Sequence, residues 1–61
     1  MDLNHYLSER QISNRAFAAR LKMSASMIDS ILAGRRRPSL QTAIDIFDAT
    51  DGLVGLEDWR R

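Results

Sequence analysis

The sequence predicts an all-α fold, a compact bundle of four or five short helices. Apolar residues recur at intervals of three and four along most of the chain, and a serine or aspartate precedes each apolar run. No stretch shows the alternation of period two that a strand requires. With 61 residues, 44% of them hydrophobic and 28% charged, the chain is too short for two domains and too apolar for a disordered segment. Residues 1–61 are therefore expected to form a single domain.

The first two predicted helices each follow a capping residue. Asp2 can cap a helix that ends near Arg10, before Gln11 and Ile12 interrupt the apolar pattern. Ser13 can cap a second helix over residues 14–21. Residues three or four apart lie on one side of a helix, so each helix presents one apolar face to a common core. The residues of these faces are Leu3, Tyr6 and Leu7 in the first helix, and Phe17, Ala18 and Leu21 in the second.

The third and fourth predicted helices begin after Ser24 and Ser39, which are again good capping residues. Gly34 follows the third helix at the position where helices often end in a left-handed residue. Pro38 disfavours helix at the residue before it, so a polar loop separates the two helices. The tail after Gly52 is expected to be either extended or a fifth helical turn. The residues of the third helix that are predicted to point inward are Ile28, Ile31 and Leu32.

The fourth helix, which is expected to extend to about residue 49, holds more apolar residues than one face needs. Its predicted inward residues are Leu40, Ala43, Ile46 and Ala49. Ile44 and Phe47 are surplus, and two interpretations of them are open. In the first, so small a core uses a wide apolar stripe. In the second, the surplus residues join Leu53 and Trp59 in an exposed surface that forms a homodimer interface.

Residues that support catalysis, metal binding or disulfides are scarce. The chain has no cysteine, which excludes zinc fingers, disulfide scaffolds and thiol nucleophiles. His5 is the one histidine, and the adjacent Glu57 and Asp58 point in different directions on a helix. We therefore expect no enzyme activity, no metal and no cofactor. No apolar run approaches the roughly 18 residues of a membrane span, and the domain has no room for a ligand pocket, so neither a membrane nor a small-molecule ligand is expected.

Charge is distributed unevenly along the chain. The net charge is +1, but residues 10–37 contain seven basic residues and a single acid, Asp29, for a net charge of +6. Residues 1–9 carry −2 and residues 38–61 carry −3. A basic middle segment between acidic ends is expected where one face of a protein contacts a polyanion.

The most informative stretch is residues 13–38, SNRAFAARLKMSASMIDSILAGRRRP. It predicts two helices of about eight residues joined by a turn of three or four residues, followed by a basic loop and a proline. The residues whose type and spacing are most informative about this motif are Asn14, Ala18, Ile28, Gly34, Arg35–Arg37 and Pro38. In these residues and their spacing the stretch resembles the helix-turn-helix of the phage Cro and repressor family, the XRE-type regulators. The resemblance implies a fold of the lambda-repressor-like DNA-binding type, with the helix-turn-helix over about residues 13–33.

Two residues of this stretch need an interpretation of their own. The turn of the family has glycine in a left-handed conformation where this chain has Lys22, and a lysine with positive φ costs on the order of 1 kcal/mol relative to glycine. The turn is expected either to tolerate this strain or to adopt another geometry. Asp29 can accept a hydrogen bond from cytosine, pair with an arginine or lie outside the interface, and the arginine pair is favoured.

The resemblance also implies which residues contact DNA. The third helix would lie in the major groove. Its base-contacting residues are Ala25, Ser26, Met27 and Ser30, and the phosphate-contacting residues are Asn14, Arg15, Arg35, Arg36 and Arg37. For Met27 a packing role is equally open. Serine and alanine discriminate bases weakly, so DNA shape, apolar contacts and dimer spacing are expected to supply much of the specificity.

The resemblance implies a sequence-specific regulator of transcription. The form expected for a chain of this size is a small homodimeric repressor, in the style of phage Cro, that binds double-stranded DNA at a near-palindromic operator in the bacterial cytoplasm or nucleoid. Its half-sites would lie about 34 Å apart, with the dimer surface within residues 44–59. One alternative is the regulator of a neighbouring operon, such as a restriction-modification controller, an anti-CRISPR-associated repressor or a mobile-element regulator. Another is a protein-interaction module, such as an antitoxin or anti-activator, that keeps the helix-turn-helix fold.

Overall fold

Four α-helices and a short C-terminal 3-10 turn make up residues 1–59, the part of the chain that the computed structural model describes. The elements are α1 (Leu3–Arg10), α2 (Asn14–Arg20), α3 (Ala25–Leu32), α4 (Leu40–Ala49) and the 3-10 turn (Leu56–Trp59). Residues 1–59 contain no strand, and the all-α prediction is confirmed. Within the same residues, no helix has the length and apolar character needed to cross a membrane.

Each of the four helices begins at the capping residue that the sequence predicts. The side-chain oxygens of Asp2, Ser13, Ser24 and Ser39 each accept a hydrogen bond from the backbone amide three residues later. An N-terminal cap of this kind stabilises a helix by about 1 kcal/mol, because it satisfies an amide that the helix itself leaves without a partner. The four caps therefore define where helix starts in a chain whose helices have only seven to ten residues.

The four helices also end in one common way. A residue with positive φ follows each of them: Gln11 (57°), Lys22 (59°), Gly34 (78°) and Asp51 (54°). After each left-handed residue, the next amide bonds back to a carbonyl five residues earlier, as in the bond of 2.8 Å from the amide of Met23 to the carbonyl of Ala18. Glycine occupies one of these four positions, so three helices end with a residue that is strained by its own β-carbon.

The apolar faces of all four helices and the tail meet in one core. Phe17, Ile28, Ile46 and Val54 are fully buried, and the rings of Tyr6 and Phe17 lie 6.5 Å apart at their centroids. The inward residues predicted for α1, α2 and α3 all belong to this core or pack against it, except that Ile31 is buried outside the main cluster. The tail forms the helical alternative of the two that the sequence left open, as a single 3-10 turn.

Leu40 is the exception on α4. The sequence predicts that it points inward, but 71% of its surface is exposed. Leu40 shares a face of the helix with Ile44 and Phe47, four and seven residues later, and this face is turned by about 100° from the buried face of Ala43 and Ile46. Leu40 and Ala43 are three residues apart, and this spacing alone does not show which of the two apolar faces of α4 meets the core.

Thr50 is a buried polar residue that sequence reasoning missed. It follows α4 and is fully buried. Its hydroxyl donates a hydrogen bond of 2.8 Å to the carbonyl of Ile46 and accepts one of 3.1 Å from the amide of Val54. Thr50 thereby joins the end of α4 to the tail, and Val54 fills the core at that junction.

We expect Lys22→Gly to stabilise the protein by about 0.5–1 kcal/mol, because glycine adopts the left-handed conformation without steric cost. For a domain of this size the midpoint of thermal unfolding should rise by about 2–8 °C. Gly34→Ala is the matched control, since Gly34 is also left-handed and a β-carbon there would meet no atom within 4 Å. It should destabilise by a similar amount through backbone strain alone. Equal stability of Lys22→Gly and the parent chain would contradict the left-handed turn.

We expect Thr50→Val to destabilise the protein by about 1–3 kcal/mol. Valine has nearly the same shape but leaves the buried amide of Val54 without a hydrogen-bond partner. Thr42→Val makes the same change at a half-buried position of α4 and should shift stability by less than about 0.5 kcal/mol. Urea unfolding followed by circular dichroism measures both, and similar midpoints for the two variants would show that the Thr50 hydroxyl does not join α4 to the tail.

Candidate nucleic-acid interface

The turn between α2 and α3 brings these two helices together. Lys22 adopts the left-handed conformation that the family pattern requires of glycine, so the turn tolerates lysine and keeps its geometry. Amides of the turn bond back to carbonyls of α2, from Lys22 to Ala19 at 3.1 Å and from Met23 to Ala18 at 2.8 Å. Met23 also packs against the core. The direction in which α3 leaves the turn is therefore determined by the end of α2.

The eight residues of α3 divide into a buried face and an exposed face. Ile28 and Ile31 are buried, while Ser26 is exposed and Ser30 is half-buried. Because successive residues of a helix are about 100° apart, Ser26 and Ser30 lie almost opposite the buried isoleucines. Met27 is half-buried at the edge of this outer face. The outer face of α3 is therefore small and polar at its centre.

Ala25 differs from its expected position. The sequence places it on the outer face with the serines, but in the structure it is half-buried and packs against the core. Ala25 lies three residues before Ile28 and seven before Leu32, and residues at these intervals share a face that turns inward here. Of the four predicted base-contacting residues, Ser26 is thus the most exposed and Ala25 lies farthest toward the core face.

A short hydrogen bond connects the beginning of α2 to the outer part of α3. The side-chain amide of Asn14 donates to the carboxylate of Asp29 over 2.6 Å. Asn14 is half-buried and Asp29 is exposed. The structure therefore gives Asp29 a neutral amide as partner, where the sequence favoured an arginine.

The arginine loop, Arg35–Arg37, follows α3 directly and is held against its end. Gly34 is left-handed, and the amides of Arg35 and Arg36 both bond to the carbonyl of Ser30, at 3.0 and 3.3 Å. All three arginines are exposed, as is Arg15 in the first turn of α2. The backbone bonds fix where the loop begins relative to the end of α3, so the three exposed arginines follow this helix directly.

An open cleft of about 420 Å³ lies beside the arginine loop. Its walls come from the beginning of α1, the end of α3, the loop at Arg36–Pro38 and the C-terminal turn. The cleft is open to solvent, and the expectation that the domain binds no small-molecule ligand stays a prediction. No local pattern signals this cleft, because four segments that are distant in sequence form its walls.

The surplus apolar residues of α4 are exposed. Ile44, Phe47 and Leu53 have 37%, 42% and 41% of their surfaces exposed, and Leu40 continues the same face of α4. The expected fourth member of this surface, Trp59, differs: it is half-buried and packs against the core. We call Leu40, Ile44 and Phe47, together with Leu53 in the tail that follows the helix, the apolar surface of α4. It accounts for the excess of apolar residues in this helix better than a wide core stripe does.

The chain belongs to the helix-turn-helix family of the XRE type, whose family model, described as "Helix-turn-helix", matches residues 6–53. The match includes α2, α3, the arginine loop and α4. It confirms the resemblance to Cro and repressor proteins and a fold of the lambda-repressor-like type. Searches of curated proteins and of solved structures gave no match. The family is one of DNA-binding regulators, so the chain is a DNA-binding helix-turn-helix protein, with α2 and α3 as its helix-turn-helix.

Proposed function

We propose that the protein is a sequence-specific transcriptional repressor, a small Cro-like homodimer that occupies an operator with α3 in the major groove. The observation that carries this proposal is the polar outer face of α3, which is flanked along the chain by exposed arginines. Arg15 lies at the start of α2, and the arginine loop follows α3. Such an arrangement suits a helix that reaches base edges while cations on both sides contact the sugar-phosphate backbone. Residues 1–61 would act as one DNA-binding domain, with the helix-turn-helix at about 13–33.

In this proposal the phosphate contacts supply most of the affinity. Asn14, Arg15 and the arginine loop are the assigned residues, and the segment 10–37 that contains them carries a net charge of +6. Neutralising phosphates releases condensed counterions, which makes such binding strong at low salt and weaker as salt rises. These contacts orient the protein on the duplex but do not distinguish one base sequence from another.

The base contacts are assigned to α3. Ser26 and Ser30 form the centre of its outer face, Met27 lies at the edge, and Ala25 lies toward the core. A serine hydroxyl both donates and accepts, so it tolerates several bases, and methionine and alanine offer only apolar contact. We infer that DNA shape and the spacing of two half-sites supplement these weak contacts.

A homodimer is proposed through the apolar surface of α4. Exposed apolar side chains in contiguous positions favour association, and a small domain gains stability by covering them. A two-fold dimer would bind a near-palindromic operator whose half-site centres lie about 34 Å apart. Bound there, in the bacterial cytoplasm or nucleoid, it would exclude polymerase from an overlapping promoter, and its concentration would set the degree of repression.

Selection of binding sites from random duplex DNA at about physiological salt tests the proposal, because non-specific binding is already weak there. The expected result is an inverted repeat with half-sites about one helical turn apart. Failure of well-folded protein to enrich any motif would overturn the proposal. The interaction-module alternative would then predict a protein partner at the apolar surface of α4.

We expect Arg36→Gln to weaken binding to all DNA sequences and to reduce the steepness of log Kd against log salt by about 0.9, the value for one lost phosphate contact. Arg10→Gln removes the same charge from α1, where the guanidinium lies 5.0 Å from the centroid of the Tyr6 ring. It should leave the salt dependence nearly unchanged. Fluorescence anisotropy between about 50 and 200 mM salt measures both slopes, and equal slopes for the two variants would contradict a phosphate role for the arginine loop.

We expect Ile44→Lys to dissociate the dimer without destabilising the monomer, because Ile44 is exposed in the single chain. Affinity for the full operator should fall strongly, while affinity for an isolated half-site should not fall. Gln41→Lys adds the same charge to an exposed polar position of α4 and should preserve the dimer. Sedimentation velocity reports the oligomeric state, and a monomeric parent chain or a dimeric Ile44→Lys variant would contradict the proposed interface.

A further inference from the structure

Asp29 is the one acidic residue in the basic segment 10–37, and it is exposed on the helix that the proposed function places in the major groove. A carboxylate at such a position repels phosphates and lowers the affinity for DNA in general. Its presence there calls for a physical explanation other than binding strength. The structure shows that this carboxylate is also held in place, since the amide of Asn14 donates to it over 2.6 Å.

On α3, Asp29 lies at the side of the outer face that is next to α2. It lies three residues after Ser26 and directly before Ser30, so it shares the outer half of the helix with both serines. The hydrogen bond to Asn14 crosses from the first residue of α2 to this side of α3. Asp29 therefore stands between the serines assigned to bases and Asn14, which is assigned to phosphate.

The partner of Asp29 leaves its charge and most of its hydrogen-bonding capacity in place. Asn14 donates through a neutral amide, so it orients the carboxylate without neutralising it, as an arginine would. An ionised carboxylate offers about four acceptor positions and no donor, and Asn14 uses one of them. The remaining acceptor positions suit a group that presents a donor and no nearby acceptor.

In the major groove, the bases differ in the hydrogen-bond donors and acceptors that they present. Cytosine presents an amino group as donor, whereas guanine and thymine present acceptors and no exocyclic donor at this edge. Adenine presents an amino donor beside an acceptor nitrogen, which repels a carboxylate. An acceptor-only group that keeps its charge is thus attracted to cytosine and repelled most strongly by guanine.

We propose that Asp29, oriented by Asn14, is a specificity-determining residue that selects cytosine and rejects guanine and thymine at one position of each half-site. The inference rests on the proposed function, because it requires α3 to lie in the major groove. It assigns base discrimination to a charged residue at the side of α3, in addition to the weak contacts of Ser26, Met27 and Ser30. Asn14 is a positioning residue in this role.

The Asp29→Asn variant tests the proposal. Asparagine has the same shape and keeps an acceptor for the amide of Asn14, but it loses the charge and gains a donor. The parent chain should prefer cytosine over guanine or thymine by about tenfold at one position of each half-site, as measured with single-base variants of the selected operator. In Asp29→Asn this preference should fall to about twofold or change to another base, while preferences at other positions remain.

The Asn14→Ala variant tests the positioning role. Loss of one phosphate contact lowers affinity for every sequence equally, so the informative measurement is the pattern of base preference rather than the affinity. The expected result is a partial loss of the cytosine preference at the position that Asp29→Asn affects. The double variant should lose no more preference than Asp29→Asn alone, because both changes act through one carboxylate. Thermal unfolding of each variant checks that the fold is retained.

Three outcomes would overturn the inference. If Asp29→Asn binds all sequences more tightly by one common factor, Asp29 lies near the phosphate backbone and reads no base. If its base preferences equal those of the parent chain, the carboxylate has no part in recognition. Both outcomes leave the proposed function intact, because the parent chain still selects an operator. If the parent chain selects no operator at all, the proposed function fails, and the inference fails with it.

Discussion

The rest of the structure depends on the turn that fixes α3 relative to α2. Lys22 is left-handed, and the amide of Met23 bonds back to α2, so the backbone leaves the turn in one direction. Phe17 and Ile28, one from each helix, are fully buried in the common core. The hydrogen bond from Asn14 to Asp29 connects the two helices on the surface side. A turn, a core contact and a polar contact thus constrain the same pair of helices, and the direction of the outer face of α3 follows from them.

The small size of the domain explains why local interactions at helix ends matter so much. A domain of about 60 residues buries only about 60% of the surface that its unfolded chain exposes, and its net stability is small. Four side-chain caps, each contributing about 1 kcal/mol, are a large part of such a total. Three strained left-handed residues, Gln11, Lys22 and Asp51, work against them. The same shortage of core leaves the second apolar face of α4 uncovered.

The features that could be predicted from sequence are those that depend on neighbours along the chain. The capping residues and Gly34 act within one helical turn, so the sequence indicates the beginnings of all four helices and the end of α3. The exposure of Leu40 and the inward position of Ala25 depend on which side of a helix meets the core, and intervals of three and four left that choice open. The burial of Thr50 and the partner of Asp29 also required the folded chain. Asn14 lies 15 residues before Asp29, and the sequence favoured an arginine as the partner. The sequence left the 3-10 turn after Gly55 as one of two alternatives, because a single turn has too few residues to show a helical spacing of apolar side chains.

In the proposed DNA-binding surface, affinity and selectivity come from different residues. Arginines that contact phosphates strengthen binding to every sequence, and a segment with a net charge of +6 already has ample attraction for DNA. A further cation that contacts phosphates would raise cognate and non-cognate binding together. A carboxylate such as Asp29 acts in the opposite way, because it costs affinity everywhere except opposite a donor. When serine hydroxyls tolerate most bases, repulsion of the wrong base becomes the more effective source of discrimination. A single acid in an otherwise basic segment is consistent with this physical requirement.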